Sequence, residues 1–287
     1  MIFGETYELS NGVKIPKLGL GTWLLDNDET AKAVRAAVRI GYRHIDTAQA
    51  YENEEGVGTG IKACGVPREQ LFVTTKIRAE HKTYESAVAS VDGSLKKLGT
   101  DYADLVIIHS PQPWAEFRSD KNRYFAENRE VWRALEDAYK AGKARAIGLS
   151  NFLRDDLENI LASCEIRPMA DQVLCHVSNT PFELIDFCKR ENILVEAYSP
   201  VAHGAILENA EVRSMAERYK VSTAQLCLRY DLQLGAVVLP KTSDPVHMKN
   251  NADIGFAIAG ADMETLESIE KLGDYGKDGF FPVFAKG

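Results

Sequence analysis

The chain has 287 residues, 45% of them hydrophobic and 26% charged, with a formal net charge of −8 at pH 7. A chain of that size buries about three quarters of its unfolded surface, so it needs no disulfide framework. The negative balance, with no lysine- or arginine-rich run, excludes nucleic-acid and membrane-surface partners, and no apolar run approaches the ~20 residues of a membrane span.

The N-terminal stretch MIFGETYELSNGVKIP carries Glu5 and Glu8 and no long apolar region. It does not read as a secretory signal, and a cytoplasmic location is expected. Asn11-Gly12, between two short alternating runs, predicts a tight hairpin that lids one end of the fold. A short apolar strand followed by an amphipathic helix then recurs. Strands are expected at Lys17–Leu20, Tyr42–Ile45, Leu71–Thr75, Leu105–Ile108, Ala144–Leu149, Ala170–Leu174, Leu194–Ala197 and Ala236–Leu239. Between them apolar residues return at helical spacing, as at Val34, Ala37 and Val38, or at Val88, Val91, Leu95 and Leu98. Gly41 and Gly99 stand where C-terminal caps belong, and Pro181 suits a first helical turn. Eight such units, spaced roughly 25–35 residues apart, predict a parallel (β/α)8 TIM barrel rather than a doubly wound sheet. With no linker and no shift in composition, residues 1–287 read as one domain.

Two motifs mislead. Gly56 to Ile61, GVGTGI, resembles a dinucleotide loop but does not directly follow a strand; it belongs inside the second helix, where its glycines allow close packing. Tyr139-Lys140-Ala141-Gly142-Lys143 holds a Tyr and a Lys at a spacing used by some short-chain dehydrogenases, yet no glycine-rich first turn accompanies it, so it reads as a solvated helix end. The chain has 5 cysteines. Cys164, Cys175, Cys188 and Cys227 sit among apolar neighbours as small core residues, and Cys175-His176 has no second pair at ligand spacing, so no metal site is expected.

In a parallel barrel the active site lies at the carboxyl ends of the strands. Strand one runs into Gly21, Thr22 and Trp23, strand two into Asp46 and then Tyr51, strand three into Lys76, and strand four into His109. Strand five ends at Ser150 and Asn151, strand six carries Gln172, strand seven ends at Tyr198 and Ser199, and strand eight at Lys241 and Thr242. Singly, Asp46 reads as a helix cap, Tyr51 as a packed aromatic, Lys76 as a surface lysine and His109 as a core histidine. Jointly they suit reduction of a carbonyl. Hydride arriving at carbon leaves charge on oxygen, which calls for a proton donor and for hydrogen-bond donors aimed at that oxygen. Tyr51 would give the proton, with Lys76 lowering its ordinary value near 10, Asp46 fixing Lys76, and neutral His109 donating a second hydrogen bond.

These residues lie in GYRHIDTAQAYENEEGVG, VTTKI, DLVIIHSPQP, GLSNF, AYSP and VVLPKTSDPVHMKNN, and on those motifs, from the hairpin to about Asn251, the chain resembles the aldo-keto reductases, particularly bacterial 2,5-diketo-D-gluconate reductase-like members. The resemblance implies a (β/α)8 barrel that uses NAD(P)H, NADPH foremost, without a Rossmann domain, with Asp46, Tyr51, Lys76 and His109 as catalytic tetrad. It implies that Ser150, Asn151 and Gln172 hold the nicotinamide carboxamide and that Tyr198 stacks on the ring. Thr22, Ser199 and Val201 would lie along the cofactor, and Lys241, Thr242, Ser243, Asn250 and Asn251 around its adenosine end. His247 departs from the family pattern, which has arginine there to grip the 2′-phosphate. Histidine is mostly neutral at pH 7 and lacks the bidentate fork, so weakened NADPH preference and appreciable NADH use are expected.

Trp23, Trp114 and Phe117 are the candidate substrate walls, beneath the polar loop between Pro111 and Glu130. The tail GKDGFFPVFAKG brings three phenylalanines toward the mouth. The substrate expected is a small carbonyl compound (aldehyde, ketone or sugar-derived dicarbonyl), and the family suggests a monomer. Two other readings stand beside this one: a non-catalytic cofactor-binding regulatory subunit on the same barrel, and a barrel enzyme using Lys76 as a Schiff base.

Overall fold

A computed structural model describes residues 1–285; Lys286 and Gly287, the end of the expected domain and tail, lie outside the described residues. β1 (Thr6–Glu8) and β2 (Lys14–Pro16) pair antiparallel. Then come β3 (Gly19–Gly21), β4 (His44–Asp46), β5 (Phe72–Ile77), β6 (Ala103–Ile108), β7 (Ala144–Ser150), β8 (Ala170–Leu174), β9 (Leu194–Tyr198) and β10 (Val237–Leu239). Each of these pairs in parallel with the next, and bridges from Leu18 to Val238 and from Gly21 to Lys241 join the first strand to the last. The eight expected strands are all present, most displaced by one or two residues, and they form a (β/α)8 barrel.

Outside it lie α1 (Asn27–Ile40), α2 (Glu54–Lys62), α3 (Tyr84–Leu98), α4 (Phe125–Lys140), α5 (Arg154–Leu161), α6 (Phe182–Arg190), α7 (Ala210–Tyr219), α8 (Thr223–Gln233), α9 (Pro245–Ala252) and α10 (Gly260–Glu267). Their ends follow local chemistry. Asp26, Thr83 and Ser222 make reciprocal capping boxes with Glu29, Ser86 and Gln225. Gly99 closes α3 at φ 64°, the left-handed conformation that costs glycine least. Pro181 is the residue just before α6 rather than within its first turn.

GVGTGI does lie in a helix. A Cβ on Gly56 would meet the Asn27 carbonyl oxygen at 2.4 Å and one on Gly60 the Val34 Cβ at 2.7 Å, so these glycines seat α2 directly on α1. Lys140 is the exposed last residue of α4. Cys175, Cys188 and Cys227 are buried, while Cys164 is half-buried, a looser fit than expected.

The hairpin turns through three residues, not two. Leu9 N–H donates to the Val13 carbonyl and Gly12 N–H to the Leu9 carbonyl, with Gly12 at φ 83°. That is a type I turn closed by a left-handed glycine. Asn11 Nδ2 donates to the carbonyl of Arg145, at the start of β7, and Ile15 is fully buried with Leu105 and Ala144. The hairpin therefore seals the amino-terminal floor of the barrel. Among the described residues no helix is long and apolar enough to cross a membrane.

Candidate active site

β4 and β5 deliver Asp46 and Lys76 to the opposite end. Both are buried, and Lys76 Nζ donates to both carboxylate oxygens of Asp46, to the Thr47 carbonyl at 2.9 Å and to the Tyr51 hydroxyl at 3.4 Å. Tyr51 sits on a short 3₁₀ turn just beyond β4, its ring edge-on to His109 with centroids 5.6 Å apart. Asp46 is thus a lysine partner and not a helix cap. Thr22 Oγ1 donates to the Asp46 carbonyl at 2.9 Å and Gln172 Nε2 to Asp46 Oδ1 at 3.1 Å, so strands β3, β4, β5 and β8 are tied together at this point.

The electrostatics correct one expectation. Burial, and then the Asp46 charge, holds the Tyr51 phenol well above its ordinary value; it is not lowered. The Lys76 ammonium is committed to Asp46, and what remains of its field does not offset desolvation. Burial raises the Asp46 carboxyl too, opposed by Lys76 and Gln172. His109 is driven far below its usual value, first by burial and then by Lys76, and is therefore a neutral imidazole as expected.

Around these groups lies a cavity of about 350 Å³. Such a volume suits a small or medium ligand. Thr22, Trp23, Asp46, Tyr51, His109 and Trp114 line it, with Ser150, Asn151, Gln172, Tyr198, Ser199, Val201 and Lys241 continuing one side. That side is preset. Tyr198 donates to Asn151 Oδ1 at 2.6 Å, and Asn151 Nδ2 donates to the His109 carbonyl at 3.0 Å and to Ser150 Oγ at 3.1 Å. Gln172 Nε2 is anchored on Asp46 and, at 3.3 Å, on Glu196 Oε2, which leaves the amide carbonyl for the cavity. A ring face beside an amide acceptor and hydroxyl groups fits a flat heteroaromatic carboxamide.

Thr242, Ser243, His247, Asn250 and Asn251 do not line the cavity; they follow β10 onto α9, whose first turn is capped by Asp244. His247 is exposed, its Nε2 4.0 Å from Asp244 Oδ2. Phe117 is also off the cavity, packed at 5.5 Å behind the Trp114 ring. Its expected place is taken by the tail, where Phe281 meets Trp114 at 4.7 Å and Phe284 meets His203 at 4.3 Å. His203 Nδ1 in turn lies 3.1 Å from Asp278 of the tail. Neither member of that pair carried a signal in the sequence. Glu196, inside VEAYSP, was also missed.

The aldo/keto reductase family model matches residues 17–271. The chain is 44% identical to glyoxal reductase of Bacillus subtilis over 93% of each chain. It is 37% identical to glycerol 2-dehydrogenase (NADP(+)) of Saccharomyces cerevisiae, over 92% of this chain and 90% of that one. An aldo-keto reductase of Bombyx mori, solved in complex with NADP, superposes with a TM-score of 0.87 at 31% identity, over 98% of this chain and 97% of that one. The chain belongs to the aldo/keto reductase family and is an NAD(P)-dependent oxidoreductase that reduces carbonyl groups.

Proposed function

We propose that Tyr51 is the general acid of this reductase, that His109 and Lys76 with Asp46 complete its catalytic tetrad, and that the substrates are small aldehydes, ketones and dicarbonyls. The observation that carries this is that Asp46, Tyr51 and His109 line one cavity wall while Lys76, from the next strand, stands behind it bonded to Asp46 and Tyr51. NADPH, when bound along Ser150, Asn151, Gln172 and Tyr198, would supply the hydride. Tyr51 keeps its proton at neutral pH because burial makes phenolate costly. Its transfer is driven by the negative charge that develops on the substrate oxygen, and the nearby ammonium stabilises the phenolate left behind. Neutral His109 orients the same oxygen by a hydrogen bond. Trp23, Trp114, Phe281 and Phe284 give the pocket an apolar cover that suits compact substrates. A relative named for glyoxal supports that size.

Lys76 does not suit Schiff-base chemistry, because its Nζ is fully buried and engaged by Asp46 and Thr47. Lys241 after β10 and the exposed His247 on α9 give only a partial grip on a 2′-phosphate, and Asp244, 4.0 Å from His247, opposes it, so NADH serves alongside NADPH. Steady-state oxidation of both cofactors with a panel of carbonyl compounds tests the reading. Turnover is expected with both; discrimination above about a thousandfold, or ~4 kcal/mol, would reject the shared-cofactor part.

A further inference from the structure

Barrel interiors are usually filled by layers of branched apolar side chains. This one holds a polar seam. Glu196 on β9 is paired in register with Gln172 on β8, and both point inward toward β4. Gln172 Nε2 spends its two N–H bonds on Asp46 Oδ1 at 3.1 Å and Glu196 Oε2 at 3.3 Å. Behind Glu196 stands His44, with Nε2 3.9 Å from Glu196 Oε1 and 3.0 Å from Thr74 Oγ1. Gly19 makes room for that ring, since a Cβ there would meet His44 Nδ1 at 2.8 Å. Every member of the seam is buried.

We propose that Glu196 is a positioning residue for the tetrad, fixing the Gln172 amide from behind and holding a proton that keeps the seam from carrying a second negative charge. The proposal rests on Asp46, Tyr51, Lys76 and His109 being the catalytic group. The groups facing Glu196 are His44 and Asp46 from β4, Lys76 from β5, and Gln172 with the more distant Asp171 from β8; β10 presents only Val237–Leu239. One ammonium serves two carboxyl groups, and its hydrogen bonds go to Asp46, Thr47 and Tyr51 and not to Glu196. His44 cannot serve as the second cation, because burial lowers it to about 3. Glu196 is the carboxyl left to be neutral, and burial followed by the Asp46 charge holds it above its ordinary range. When it ionises at alkaline pH, the added negative charge opposes charge building on the substrate oxygen, and reduction slows.

Below the ionisation of Tyr51 itself, the pH profile of kcat for carbonyl reduction should then carry a first alkaline ionisation in the wild type that E196Q lacks, since glutamine mimics the protonated acid and cannot titrate. E196A, which releases the Gln172 amide, should lower kcat and raise the NADPH dissociation constant, each by roughly tenfold. Circular dichroism checks that both variants fold. If E196A does not, the E196Q profile decides. An E196Q profile that keeps the alkaline ionisation, or E196A constants equal to the wild type, overturns the proposal. A wild type without turnover would defeat the tetrad reading, and NADPH binding to E196A, followed by quenching of protein fluorescence, would still decide the anchoring.

Discussion

Both ends of the barrel are closed by segments outside the βα repeat, and they are closed with different chemistry. At the floor the β1–β2 hairpin inserts Ile15 among Leu105, Ala103 and Ala144, its backbone groups pair across the turn, and the Asn11 side-chain amide donates to the Arg145 carbonyl. At the mouth the tail lays Phe281 and Phe284 over Trp23 and Trp114, and buried polar atoms there lack partners, among them His109 Nδ1 and Trp114 Nε1. An unpartnered buried donor costs roughly 1–3 kcal/mol. The floor is therefore sealed by apolar packing, while at the mouth His109 and Trp114 line a cavity that a ligand can enter.

Substitutions at the two ends should separate accordingly. Lys76→Met leaves Asp46 buried without its cation, and we expect kcat to fall about 10²–10⁴-fold and stability by about 3–5 kcal/mol. Steady-state assays and urea melts measure the two losses. Ile15→Ala, at a fully buried floor position, should cost about 2–5 kcal/mol in a melt with kcat per folded molecule retained. A loss of kcat there would mean that the ends are not separable. Phe284→Ala, on the mouth cover, should raise the carbonyl KM about tenfold, ~1.4 kcal/mol, with a smaller change in kcat. Titrating substrate at saturating NADPH reads this. The smallest effect lies farthest from the chemistry: His247→Arg should raise the ratio of kcat/KM for NADPH over NADH by about tenfold, as expected for one charge-assisted hydrogen bond.

The barrel was legible because each strand carries its polar residue at the carboxyl end, so Asp46, Lys76, His109, Ser150 and Tyr198 mark one rim by position alone. The four side chains proposed as a tetrad were legible as neighbours for the same reason. What failed was whatever depended on direction or competition among close groups. Strands covered on both faces read as continuous apolar runs, and nothing in LVEAY tells whether Glu196 faces the axis or the helices. That Lys76 would lie near Tyr51 and pair with Asp46 could be read; that this pairing would leave burial to raise the phenol could not. Phe117 and Phe281 are equally aromatic in sequence, and only the path of the loop and tail decides which one walls the cavity. His203 and Asp278 meet across a separation no local pattern spans.

The central claim concerns one hydroxyl group, and Tyr51→Phe removes it while keeping the ring. With NADPH and an aldehyde substrate, kcat should fall about 10²–10⁴-fold while the NADPH dissociation constant, read by fluorescence quenching, stays within about twofold of the wild type. A variant that retains kcat within a factor of a few, or that loses turnover and cofactor binding in parallel, would contradict it.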